Sequence, residues 1–241
     1  MSGHSKWHNI QGRKGKQDAL RSGQFTKVSK LITIAAKSGG DPSSNFSLRI
    51  AVDKARAVGM PKDNIERAIK RGTGELEGVQ IEEVLYECYG PGGVAVLVKC
   101  LTDNKNRAVS DIKHIFSDHG GSMAGAGSVL WMFAQMGVVE INKEQLVINK
   151  IERDEFDLQI IEAGAEDIVE DGDLEIRTKM ENFQKVLGAL KEMGIEQKES
   201  GLQWIAKDKV EVNEEVAEKL GALFSELEEN DDVDDYFTNA E

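Results

Sequence analysis

The sequence predicts an α+β fold: a small N-terminal helical bundle followed by strand-rich α/β segments. Three observations carry this. Apolar residues recur at helical spacing through the first third of the chain. Two β-rich runs then flank a Pro-Gly-Gly turn, and residues 138–206 read β-α-β-β-α-β, a ferredoxin-like order.

Residues 2–16, SGHSKWHNIQGRKGK, contain Gly3, Gly12 and Gly15 and only Trp7 and Ile10 as sizeable apolar groups, so we expect a flexible basic arm. Helical spacing begins near Asp18. Phe25, Val28, Ile32 and Ala35 make one apolar stripe, with Lys27, Lys30 and Lys37 away from it, and Gly39, Gly40 and Pro42 end the helix. A second helix runs from about Asn45 to Val58, burying Leu48, Ala51, Val52 and Ala55, with Gly59 suited to its C-cap. Pro61 suits the first turn of a third helix marked by Ile65, Ala68 and Ile69, which stops at Gly72.

Composition changes after Gly74. Glu83–Tyr89 and Val94–Leu101 read as strands around Gly90-Pro91-Gly92-Gly93. A helix carrying Val109, Ile112 and Phe116 opens at Asp103 or Asn104. Gly120–Ser128 is a glycine-rich loop. Val129–Phe133 and Val138–Asn142 read as two further strands. Asp154–Ala163 (helix), Asp167–Glu170 and Leu174–Lys179 (strands), Asn182–Met193 (helix) and Leu202–Ala206 (strand) complete the ferredoxin-like order. A last helix, about Asn213–Leu227, precedes an acidic stretch. We expect that helix to pack back onto the 82–133 segment, which has too few elements for a core of its own.

The chain has 241 residues, 40% of them hydrophobic, enough for packed cores. Its longest clean apolar run, Val94–Val98, is strand-sized, far short of the ~18–20 residues of a membrane helix. No apolar secretory segment opens the chain. Its basic start lacks the apolar face of a transit peptide, so a cytoplasmic location is expected. Two cysteines exclude a disulfide scaffold. In a hairpin centred on the Pro-Gly-Gly turn, Cys88 faces roughly position 95 rather than Cys100, which predicts reduced core thiols.

The net charge of −13 conceals a split. Residues 1–75 hold 15 Lys+Arg against 6 Asp+Glu, a charge of +9, and the remainder carries −22. A basic module on an acidic body suggests a polyanion partner, nucleic acid first, approached basic end foremost.

Enzyme chemistry finds little support. His4, His8, His114 and His119 are the only histidines, and no G-x-S-x-G nucleophile motif occurs. His4 and His8 have a spacing that clips a metal on a helix, but they supply only two ligands among glycines. Glu82, Glu83 and Glu87, or Asp171 and Asp173, cluster without histidine partners. The loop Gly120–Ser128 lacks the Lys-Ser/Thr end of a phosphate loop and follows a helix rather than a strand, so a close-packing turn is the better reading. The acid run from Glu226 to Asp235 reads as a solvated segment; competition with nucleic acid for the basic module is the rarer alternative. No catalytic residue, metal site, cofactor, small-molecule substrate or membrane partner is expected.

Several blocks resemble the YebC/PmpR family across almost the whole chain: SGHSKWHNI at the start, Gly39-Gly40-Asp41-Pro42, MPKDNIERAIKRG at 60–72, YGPGGVAVLVKCLTDNKNR at 89–107, GGSMAGAGSVLWMF at 120–133 and GAED at 164–167. The start is similar to that of bacterial cytosolic members rather than mitochondrial ones. The resemblance implies three domains: an N-terminal helical bundle and two α/β domains, the last inserted in the middle one. Residues 1–75, 76–134 with 208–241, and 135–207 are the corresponding spans. It also implies a probable DNA-binding transcriptional regulator, or a translation factor. Mitochondrial relatives activate translation of cytochrome c oxidase subunit I, and bacterial members are tied to ribosomes stalled on proline stretches.

The expectation is therefore a non-enzymatic nucleic-acid-binding regulator. Its nucleic-acid contacts would come from Lys6, Trp7, His8, Arg13, Lys14 and Lys16 in the arm, with Trp7 stacking on an unpaired base, and from Lys27, Lys30, Arg56, Lys62, Arg67, Lys70 and Arg71 in the bundle. Lys105 and Arg107 would add a second contact at a helix start. Duplex DNA and RNA, including ribosomal RNA and the ribosome, both remain open as partners, because no obvious base-reading face appears on the three short helices. An acidic protein-interaction scaffold is the reading from another class.

Overall fold

The computed structural model describes residues 17–241. The expected basic arm, with Lys6, Trp7, His8, Arg13, Lys14 and Lys16, lies outside the described residues. Three helices open the described part: α1 (Gln17–Ala36), α2 (Phe46–Ala57) and α3 (Lys62–Thr73). They close around Val28, Ile32, Leu48, Val52, Ala55, Ile65 and Ala68, all buried. Asn45 ties the bundle at one corner. Its side-chain oxygen accepts from the Leu48 N–H, capping α2, while its amide donates to the carbonyls of Ala35 and Gly39 at the end of α1.

The second part is a four-stranded antiparallel sheet with helices on one face. β1 (Glu82–Tyr89) and β2 (Ala95–Thr102) form the predicted hairpin. α4 (Lys105–Asp118) and the short β3 (Ser122–Met123) follow. The chain returns to this sheet only at its end, with α8 (Glu214–Glu229) and β8 (Val233–Thr238), giving the order β3-β1-β2-β8. Leu220, Leu223, Phe224 and Leu227 of α8 join Ile112 and Phe116 of α4 over Cys88, Val96, Val98 and Cys100. The final helix does pack back onto this sheet. Cys88 faces Val96 and Cys100 faces Val84, and both thiols are free and buried. Burial pushes each thiol up to about 12, so neither is a ready nucleophile.

Between these returns lies the third part. β4 (Phe133–Ile141), α5 (Glu144–Ile148), α6 (Arg153–Glu162), β5 (Ala165–Asp171), β6 (Asp173–Thr178), α7 (Phe183–Glu192) and β7 (Gln197–Ala206) form a sheet ordered β5-β6-β4-β7. With α6 and α7 counted, this is the predicted β-α-β-β-α-β. Its core joins Val139, Ile141, Phe156, Ile160, Leu174, Ile176 and Val186.

Three details differ from the sequence reading. The strand expected at Val129–Phe133 is a 3₁₀ turn at Leu130–Met132, and the strand expected at Val138–Asn142 begins at Phe133. Gly137, between the two expected strands, lies inside this single strand. A Cβ there would sit 2.5 Å from the Phe183 ring, so the missing side chain permits close packing inside one long strand. The acidic stretch after α8 is not a solvated run: Val233, Tyr236 and Phe237 are buried and β8 pairs with β2.

Candidate nucleic-acid interface

α3 carries several exposed cations. Ile65 and Ala68 turn into the bundle. Gly72 brings the last turn of α3 directly onto α1: a Cβ there would lie 2.4 Å from the Thr33 carbonyl oxygen and 2.6 Å from the Ala36 Cβ. This contact sets the rotation of α3. Arg67, Lys70 and Arg71 consequently face outward, and no described acid lies within ion-pair distance of any of them. Arg67 and Arg71 are one turn apart, with Asn64 on the same side.

The other predicted cations have protein partners. Lys62 lies 3.5 Å from Glu66 and Arg56 lies 3.0 Å from Asp53, both pairs exposed and weak. Lys27 and Lys30, on α1, turn toward the C-terminal acids. The Lys27 ammonium donates to the Glu228 carbonyl at 2.6 Å. Burial is the largest influence on Lys27 and draws its pKa below the usual lysine value, against the pull of Asp231, Asp234 and Glu228. Lys30 donates to the Asp232 carboxylate at 2.7 Å and to the Asp231 carbonyl at 2.9 Å.

Arg107 meets the same carboxylate from the other side. Its Nε and Nη2 donate to Asp232 Oδ2 at 3.0 and 2.8 Å, and Nη2 also reaches Asp103 at 2.6 Å. Asp232 is 4% exposed. Burial alone would raise its pKa, but hydrogen bonds and charge from Lys30 and Arg107 prevail and hold it below the usual aspartate value. Lys105 pairs with Glu82 at 2.6 Å. The cations that ran against the dipole at the start of α4 are thus matched to acids from β1, the 103 turn and the segment before β8. What the sequence missed is Asp232: nothing local distinguishes it from the acids around it.

The glycine-rich loop already holds an anion of its own. Glu87 on β1, nearly buried, accepts from the backbone N–H groups of Gly127, Val129 and Leu130 at 2.6–2.8 Å. Burial opposes its ionisation most strongly, yet the three donors together keep its pKa low. Glu82, Glu83 and Glu87 do not form one cluster: Glu82 faces Lys105 and Glu87 faces the loop. His119 meets Glu226 at 2.7 Å and His114 meets Asp118 at 3.4 Å. Among the described residues no three His, Cys, Asp or Glu side chains gather as metal ligands, and no helix is long and apolar enough to cross a membrane.

Relatives cover the same architecture from end to end. A "Probable transcriptional regulatory protein" of Maridesulfovibrio salexigens is 50% identical, the match spanning 100% of this chain and 96% of the relative. Another of that name, from Thermoanaerobacter pseudethanolicus, is 47% identical over 100% of this chain and 97% of its own. The crystal structure of a conserved hypothetical protein from Aquifex aeolicus superposes with a TM-score of 0.84 at 38% identity, covering 98% of this chain and 96% of that one. Residues 5–75 match the family described as "TACO1/YebC protein N-terminal domain", and residues 81–240 match "TACO1/YebC second and third domain". With the bundle, the helix-covered sheet and the ferredoxin-like sheet all accounted for by these matches, the chain belongs to the TACO1/YebC family.

Proposed function

We propose that this protein is a non-enzymatic regulator of gene expression that binds nucleic acid through the outward face of α3. The observation that carries the reading is the set Arg67, Lys70 and Arg71, which has no acidic partner among the described residues, while Lys30, Lys105 and Arg107 pair with carboxylates and Lys27 is held by the Glu228 backbone carbonyl. Unpaired guanidinium groups on a short helix suit phosphate oxygens. The acidic remainder repels the same polyanion and orients the encounter. The names of the relatives, "Probable transcriptional regulatory protein", support a regulatory role. Duplex DNA and RNA, including RNA on the ribosome, are the two partner classes this face suits.

The test is binding of the full chain to labelled duplex DNA and to single-stranded RNA, each across a salt series. Replacing Arg67, Lys70 and Arg71 together by Glu should weaken binding at least tenfold. It should also flatten the slope of log K against log salt by roughly 2–3, at ~0.7–0.9 per phosphate. An unchanged slope for both ligands in that variant would remove α3 from the interface. Salt-independent binding to a protein partner, with no affinity for nucleic acid, would favour a scaffold instead.

A further inference from the structure

We infer that the cleft beside Arg67 and Arg71 is a pocket for one unstacked nucleotide of a single strand. The inference rests on the reading of α3 as the nucleic-acid face. The cleft lies between α1, α3 and the segment 77–81, and encloses about 590 Å³. That lies within the ~300–1,000 Å³ of small-molecule sites. Arg67 and Arg71 line it from α3, with Asn64 beside them; Phe25 and Ser29, one turn apart on α1, form the opposite wall. Val79 borders it from the connecting segment and is 66% exposed.

The charges facing the cleft sort by what already holds them. Lys30 is turned to Asp232, and Asp103 to Arg107. Glu77 brings one negative charge to the wall of the connecting segment. Arg67 and Arg71 remain for a phosphate, and Glu77 disfavours a second phosphate inside. The ring of Phe25, partly buried in the bundle, offers an apolar contact for a base.

The shape selects for an unpaired nucleotide. A base held in a duplex stack cannot leave the stack to enter the cleft beside Arg67 and Arg71. A base swung out of a single strand enters while its own phosphate stays on Arg67 and Arg71. Lys70, on the outer surface of α3, is placed for the next phosphate along the strand, which a free nucleotide lacks.

Two variants of the full chain test this. Ser29→Leu fills the cleft from α1, and Val79→Leu crowds its edge from an exposed position, without a change of charge and with the bundle core intact. Thermal unfolding checks that each folds as the parent. Binding is read by fluorescence anisotropy with a single-stranded oligonucleotide, the same sequence as a blunt duplex, and a nucleoside monophosphate. We expect either variant to lose about tenfold in single-strand affinity, with duplex affinity unchanged and the monophosphate far weaker than the strand for the parent. Parent-like single-strand binding by both folded variants overturns the pocket, and so does equal loss for strand and duplex. If the monophosphate binds as tightly as the strand, the ligand is a free nucleotide and the strand assignment is overturned. Failure of the α3 reading is distinguishable, because then the Arg67, Lys70 and Arg71 triple variant binds every probe as the parent does.

Discussion

α1 and α3 belong to one bundle, and both carry basic residues off their apolar stripes, yet their cations do opposite things. Lys27 and Lys30 of α1 are partly buried against the segment 228–232. Arg67, Lys70 and Arg71 of α3 are exposed, with no acidic partner among the described residues. The difference does not lie in the helices themselves. α1 lies against the C-terminal acids, while the cations of α3 pair with no described acid. A basic face therefore tells what a helix attracts only after its neighbours are known.

The sharpest way to break this comparison is to remove the shared carboxylate. Asp232→Ala strands the mostly buried Lys30 and leaves half-exposed Arg107 with Asp103 alone, and should cost about 3 kcal/mol in urea unfolding. The pH dependence follows from the same group. Its folded pKa is lowered, so its contribution is present above the unfolded value of ~3.9 and is lost as pH falls through the lower folded pKa. Asp232→Asn should flatten that part of the acid limb; an acid limb identical to the parent's would show that Asp232 is not what links the two parts. Lys27→Met sharpens the point in the other direction. Burial already disfavours its charged form, so the substitution should be neutral or slightly stabilising.

The contact between the two helices comes next in size. Gly72→Ala forces a methyl into the Thr33 carbonyl and should cost ~1–3 kcal/mol, with α3 displaced from α1. A parent-like thermal midpoint would mean that α3 can rotate without penalty, and the outward setting of its arginines would lose its physical basis. Smaller still, Arg67→Ala should change stability by less than about 0.5 kcal/mol while weakening polyanion binding, whereas Lys30→Met should lower stability and leave binding nearly unaltered. If the two variants exchange these effects, the division between α1 and α3 is wrong. The smallest effect belongs to Lys105→Ala. Its pair with Glu82 is half-exposed on both sides, and we expect within ~0.5 kcal/mol of parent stability and parent-like nucleic-acid affinity.

Most elements were legible because their signals are local. The stripe through Val28 and Ile32, the Asn45 cap, the Pro-Gly-Gly hairpin and the alternation in β6 each need only a few neighbouring residues. The elements that were misread answer to distant partners. Gly137 is a glycine because Phe183 lies over it, some forty-five positions away in the chain. β8 hides in a run of acids, and only its pairing with β2 makes it a strand.

Sequence alone determined the order of helices and strands, the ferredoxin-like unit, the charge split and the family resemblance, because helical period, alternation, turn chemistry and net charge are properties of short windows or simple counts. Tertiary structure decided which cations remain open. Lys30 and Arg107 meet at Asp232 across intervals of 202 and 125 residues, and Gly127, Val129 and Leu130 meet Glu87 across about forty. Burial and opposite charge decide whether an ammonium or guanidinium is free for a ligand, and both depend on what the fold brings alongside it.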